Sequence, residues 1–188
     1  MTAAGLTVPP TWIGNDPDAH GAFCEQVGAA VAKTLGPVTY IDAEDARHVL
    51  YTARVPPQRY GDPRVAATAN LLQAEIADKR FEYRVAVVGS RLFVTEIHVE
   101  ARAGYLDIRA VPDENTTYRP GLLPANTAAA IMAVTRCFGL IFAAWDLLAC
   151  SDGRVHALEL NPNGMWAFTP DRDQISAAIA DELEEATR

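Results

Sequence analysis

The firmest constraint in this chain is a carboxylate inside an apolar run, followed 13 residues later by a second one beside an Asn-Pro-Asn-Gly turn. Phe142 to Cys150 reads Phe-Ala-Ala-Trp-Asp-Leu-Leu-Ala-Cys, apolar except for Asp146. Ser151-Asp-Gly153 reads as a tight turn. Arg154 to Asn161 reads as a second strand, ended by Pro162 and Gly164. Residues two apart on a strand face the same side, so Glu159 and Asn161 project together. A hairpin of the right register brings Asp146 beside them. Two carboxylates and an amide oxygen form a hard oxygen set, suited to a Mg²⁺ that keeps waters and contacts phosphates. The competing reading is turn chemistry alone, since Asp-Gly hairpins are common and Asn-Pro-Asn-Gly is ordinary loop sequence. Burial argues for the site. Both acids lie in apolar runs, where an unpaired carboxylate is costly, so a cation, a basic partner or a ligand is expected.

The same strand pattern places His156 at opposite parity to Glu159, hence on the other side of a regular strand. His20, His48, His98 and His156 show no metal-ligand spacing and read as structural or exposed. Phosphate-binding glycine loops of the Walker or Gly-x-Gly-x-x-Gly kind are not found, nor is a Gly-x-Ser-x-Gly elbow. Nucleotide use cannot rest on those motifs. With 188 residues the chain suffices for one domain or two small lobes. It is 49% hydrophobic and 21% charged, enough apolar content for a packed core. A net charge of −8 argues against a nucleic-acid binder. Arg80, Arg84, Arg91, Arg102 and Arg109 still cluster in sequence, each read individually as a solvated strand edge. Cys24, Cys137 and Cys150 are odd in number and unpaired in spacing, which predicts a reducing compartment, the cytoplasm, with Cys137 and Cys150 buried. No signal peptide precedes the first strand, and the run from Phe138 to Cys150 is too short for a bilayer.

Along the chain, Asn15-Asp-Pro17 caps a helix over about 17–27. Residues 29–35 read as a strand holding Lys33, a residue that in such a run more often snorkels to an edge than binds a ligand. Residues 70–76 read as an extended segment whose Gln73 and Glu75 form an edge strand's polar face. The clearest hairpin joins residues 82–88 to 91–98 through Gly89-Ser90, with Glu82 and Arg84 on one face, able to pair with each other. Residues 100–120 read as an irregular loop. Helices follow over 125–138, stopped by Gly139, and over 174–187, where Ile175, Ala178, Ile179 and Leu183 recur at helical spacing. The mixture of helices with antiparallel hairpins makes the class α+β.

At this point the sequence resembles a known family. Asp146, then Leu158-Glu159-Leu-Asn161-Pro-Asn-Gly164-Met-Trp166, resembles the Mg²⁺-binding end of ATP-grasp ligases. Among these it is most similar to the ribosomal peptide maturases of microviridin or graspetide type, in their actinobacterial branch, where a Trp after Asn-Gly is characteristic. Ala4 to Thr11 with Gly14-Asn-Asp-Pro17 resembles the entry to the first lobe, and Val31-Ala-Lys33 the nucleotide-lysine strand. Leu72-Gln-Ala-Glu-Ile76 resembles the adenine-binding hinge, Phe81 to Gly89 the strand pair with a phosphate-facing arginine, and Asp107-Ile-Arg109 a motif usually written Asp-Trp-Arg.

This resemblance implies an ATP-grasp fold of two small α+β lobes with antiparallel sheets, at about 1–72 and 80–188, hinged near 73–79. It implies an enzyme: a ligase that phosphorylates a carboxylate with ATP and passes the acylphosphate to an amine or hydroxyl, here as ω-ester or ω-amide links in a precursor peptide. It implies ATP and Mg²⁺ as cofactors. Asp146, Glu159 and Asn161 would take the metal. Lys33 and Arg84 would take phosphates, and Gln73, Ala74, Glu75 and Ile76 the nucleoside. Arg84 and Arg109 would act in catalysis, with Asp107 beside Arg109. The partners would be ATP and a precursor peptide or small carboxylate, with a homodimer allowed, and neither nucleic acid nor membrane. Ile108 stands where the family usually has Trp. Relatives carry roughly 100 further residues before this region, on ordinary domain sizes, so a pre-ATP-grasp domain is expected to be absent. A small-molecule carboxylate–amine ligase and a non-catalytic nucleotide-binding remnant remain open alternatives.

Overall fold

In the computed structural model, which describes residues 1–36, 39–100 and 105–187, the chain divides into two units. One comprises Pro9–Ala77 and Arg102–Pro112, the other Met1–Val8, Asp78–Ala101 and Asp113–Arg188. Neither unit is one continuous stretch of chain. Leu6 is buried in the larger unit's core, and the Ala157 amide donates to Thr7 O at 2.8 Å, which ties the first residues there. The Asp107 carboxylate accepts from the Thr52 amide at 2.9 Å, which ties residues near 107 to the smaller unit.

The smaller unit is built on a four-stranded antiparallel sheet. Its elements are β1 (Thr11–Gly14), α1 (Pro17–Val27), β2 (Ala30–Lys33), β3 (Thr39–Ile41), β4 (Arg47–Val49), β5 (Ala53–Arg54) and β6 (Asn70–Ala74). The sheet order is β1-β6-β2-β5, while β3 and β4 form a separate hairpin. Helix α1 starts as its sequence dictates: Asp16 Oδ1 accepts from the Asp18 and Ala19 amides at 2.9 and 3.0 Å, with Pro17 at the first helical position. Cys24 of α1 packs with Ala30 and Leu72 on one face of the sheet. By register, Thr11, Gln73, Val31 and Arg54 lie in a row on the opposite face, with Lys33 two residues along β2.

The larger unit carries a five-stranded antiparallel sheet in the order β11-β10-β7-β8-β9. Its strands are β7 (Lys79–Val88), β8 (Arg91–Val99), β9 (Thr116–Pro120), β10 (Phe142–Cys150) and β11 (Val155–Asn161). Its helices are α2 (Ala125–Cys137) and α3 (Arg172–Ala186). Gly89 opens the β7–β8 turn at φ +57°, a backbone region other residues enter only with strain. Strand β9, which lies in the stretch expected to be irregular, pairs with β8 from Thr95↔Pro120 to Val99↔Thr116.

One face of this sheet meets α2. Val85, Val87, Ala143, Trp145 and Leu147 pack there with Ile131 and Val134. The buried Trp145 Nε1 donates to Thr135 Oγ1 at 3.0 Å, which meets the requirement for a partner in a dry core. The other face is divided. Helix α3 covers one end through Ile175 and Ala178 on Ala86 and Val88. The remaining end carries Glu82, Arg84 and Asp146 (by alternation from Ala86 and Val88) and holds the candidate site. Leu183, expected on the buried stripe of α3, is 64% exposed, and Cys137, expected to be buried, is exposed. Both lie near helix ends, beyond the residues that touch the sheet.

Candidate functional site

Strands β10 and β11 set Asp146 directly opposite Glu159, and Ala144 opposite Asn161. The three expected metal-binding residues therefore share one face. Directly opposed residues lie with Cβ atoms about 5 Å apart, and like charges in that position destabilise a sheet. Asp146 is half-buried, with 31% of its side chain exposed, while Glu159 is exposed. The burial argument made from sequence thus holds for Asp146 and not for Glu159, whose neighbour Leu160 packs against the core on the other side. Among the described residues no group of three or more His, Cys, Asp or Glu side chains gathers as a metal cluster. The donor set here is two carboxylates and an amide, which fits the oxygen chemistry of Mg²⁺. Asn161 Oδ1 also accepts from the Asn163 amide at 2.9 Å, which fixes the side chain's orientation.

Between Asp146 and Leu147 the register slips: Asp146 faces Glu159, but Leu147 faces Ala157. Leu158 is the extra residue of a β-bulge. The bulge changes the parity of the strand, so His156, opposite Leu148, lies on the same face as Glu159 and not on the far side as strict alternation predicts. His156 is buried, and its Nδ1 has no hydrogen-bond partner among the described residues. Burial, reinforced by the Arg154 charge and opposed by Asp152, holds its pKa below the ordinary histidine value.

Arg84 stands opposite Asp146 on β7. Its Nε lies 2.8 Å from Asp146 Oδ1, an ion pair by distance in which the N–H is not aligned for a hydrogen bond. Its Nη2 donates to Asp146 Oδ2 at 3.4 Å and its Nη1 to Met165 O at 3.0 Å. Glu82, the other partner considered for Arg84, instead pairs with Lys79 at 2.9 Å, both side chains largely buried. Gly164 lets the loop after β11 approach the sheet. A Cβ there would stand 2.4 Å from Ala144 Cβ and 3.4 Å from Arg84 Nη1.

In the smaller unit, Lys33 ends β2 opposite Leu71. The Gln73 amide group donates to Thr11 Oγ1 at 3.2 Å. The backbone amides of Ala74 and Glu75 donate to Pro10 O and Ala29 O, both at 2.9 Å. The Glu75 carboxylate is gripped by both arms of the Arg54 guanidinium at 2.8 and 2.7 Å. Arg54 had no sequence signal, because its pairing with Glu75 depends on β5 and β6 flanking β2. Ile76 follows just beyond β6.

Asp107 and Arg109 form one unit. Asp107 caps a short 3₁₀ turn at Ile108–Ala110, accepting from the Arg109 amide at 3.0 Å, while Arg109 Nε donates back to it at 2.9 Å. Arg102, named with them in the arginine cluster, lies outside the described residues. Burial pushes the Asp107 carboxyl up. Hydrogen bonds from the Arg109 side chain and the Thr52 and Arg109 amides, with the Arg109 charge, outweigh it and leave the pKa at about 2. A folded-state pKa below the unfolded value of about 3.9 gives stability that is present above pH 4 and lost as pH falls through 2. Asp107→Asn is therefore expected to cost about 2 kcal/mol at pH 7 and little at pH 2. Urea denaturation at the two pH values checks this; equal losses at both would refute it.

The architecture is that of an ATP-grasp fold, with the larger unit's sheet carrying the acidic pair and an arginine on one open face. No protein-family model matches the sequence, and no curated protein matches it. Solved structures do. The macrocyclase MdnC of Microcystis aeruginosa MRC, bound with its precursor peptide MdnA, superposes with a TM-score of 0.83 at 24% identity, covering 98% of this chain and 59% of MdnC. The macrocyclase MdnB of the same organism is 28% identical with a TM-score of 0.68, covering 97% of this chain and 55% of its own. The ATP-grasp ligase PsnB, complexed with a minimal-precursor variant, Mg and ADP, gives 0.73 at 19% identity, covering 100% and 56%. The chain thus shares the fold of these macrocyclases and of an ATP-grasp ligase and spans between 55% and 59% of their length.

Proposed function

We propose that this chain is the ATP- and Mg²⁺-binding part of a carboxylate ligase that forms ω-ester or ω-amide links in a ribosomal precursor peptide. The observation that carries the reading is the cross-strand pair Asp146↔Glu159 with Asn161 on the same face. Like charges directly opposed destabilise a sheet; Arg84 offsets the charge of Asp146 from the β7 side, and a divalent ion taken by Glu159 and Asn161 with Asp146 would offset the rest. Asp146, Glu159 and Asn161 would hold Mg²⁺, which when bound neutralises phosphate charge. Arg84 presents a planar fork suited to phosphate oxygens. Lys33 is assigned to phosphate, and Gln73, Ala74, Glu75 and Ile76 to the nucleoside. Arg109 is assigned to the acceptor carboxylate, oriented by Asp107.

In the reaction a substrate carboxylate attacks the γ-phosphorus of ATP, and ADP leaves. A hydroxyl or amine then attacks the acylphosphate carbonyl, losing its proton as phosphate departs. Positioning and electrostatics do most of the work in such transfers. The likeness to ligases with bound precursor peptides supports a peptide substrate, and three free cysteines support a reducing cytoplasm. No helix among the described residues is long and apolar enough to cross a membrane. Calorimetric titration with ATP tests the proposal. Binding is expected with Mg²⁺ and not after chelation; no binding under either condition would refute it.

A further inference from the structure

Arg84 is held from three directions, and one of the contacts has no role in the reading above. Its guanidinium carbon lies 5.4 Å from the centroid of the Phe168 ring. Met165 O and Asp146 take the two edges of the same group. Phe168 is itself braced by Tyr118 of β9, ring centroids 5.3 Å apart at 60°. Phe168 remains 37% exposed, more than a side chain retained only to fill a core would be. The loop that carries Met165 and Phe168 begins at Asn161, whose Oδ1 accepts from the Asn163 amide. The expected metal residue and the expected phosphate residue are thus linked through one short segment.

We propose that Phe168 is a positioning residue for Arg84. Its ring face fixes the plane of the guanidinium, and the Met165 carbonyl fixes its rotation. An arginine side chain is long and rotamer-rich, and a cation lying over an aromatic face is attracted by the ring quadrupole. The guanidinium has five N–H donors, and the Met165 and Asp146 hydrogen bonds use one on each terminal nitrogen. Donors therefore remain for an anionic ligand while the plane is held. Tyr118 acts one step further back, setting the tilt of Phe168. The inference rests on the proposal that Arg84 binds phosphate.

The test compares ATP with AMP, each titrated with Mg²⁺ into the full chain and into Phe168→Leu, Phe168→Tyr and Arg84→Gln. Leucine keeps apolar bulk without a ring; tyrosine keeps the ring. Phe168→Leu is expected to lower the ratio of ATP to AMP affinity on the order of fivefold, with Phe168→Tyr restoring it. Equal weakening of both nucleotides in Phe168→Leu, or an unchanged ratio, would overturn the positioning role while an Arg84→Gln loss of ATP keeps the functional reading. If Arg84→Gln leaves ATP binding intact, or the unaltered chain binds no ATP, the functional reading falls and this inference with it.

Discussion

Glu159→Ala is expected to abolish the Mg²⁺ dependence of ATP binding, lowering affinity on the order of 100-fold, while leaving the fold intact or slightly steadier. The two effects have one cause. Glu159 is exposed and stands opposite Asp146, so as a structural residue it contributes like-charge repulsion and little burial. In the proposed metal site it supplies one of two negative charges, and loss of a direct ligand is expected to cost at least the roughly 10–100-fold in metal affinity that loss of a supporting partner costs. Calorimetry with ATP and Mg²⁺ reads the first effect and urea denaturation the second. A variant that unfolds more easily yet binds as before would mean that the acidic pair serves the sheet and not a cation.

Arg84→Gln is expected to move two affinities in opposite directions. Triphosphate binding should fall about tenfold or more, since a charge-assisted fork donor is lost. Binding of a divalent ion alone should tighten, because the Asp146 carboxylate no longer has a guanidinium 2.8 Å away competing with the ion. Mn²⁺ titration followed by the electron paramagnetic resonance of the free ion measures the second effect without nucleotide. Weakening of both would show that Arg84 orders Asp146 for the metal and does not compete with it.

Local rules made much of the fold legible. The cap at Asp16, the turns at Gly89 and Gly153, the alternating apolar residues at the start of β7 and the continuous apolar run of β10 all follow from side-chain chemistry within a few residues. The β3–β4 hairpin was not legible. Its strands are mostly exposed, so no buried stripe marks them, and its turn depends on Asp42 Oδ1 accepting from the Glu44 and Ala46 amides at 3.0 and 2.8 Å. Strand β9 was missed for a related reason: three residues that are half-buried and two that are exposed leave no clear period.

Strand parity and Asn-Pro-Asn-Gly chemistry are local, so residues 154–164 alone place Glu159 and Asn161 on one face with a turn after them. The need of Asp146 for a partner is local too, since a carboxylate among apolar residues is costly alone. Which partner it takes depends on pairing between distant strands. Register between strands distant in the chain places Arg84 opposite Asp146 and leaves Glu82 to Lys79. The side on which His156 lies also escapes local rules, because one bulged residue reverses every parity beyond it. The packing of Phe168 between Tyr118 and Arg84 is likewise set by three segments whose meeting no local period encodes.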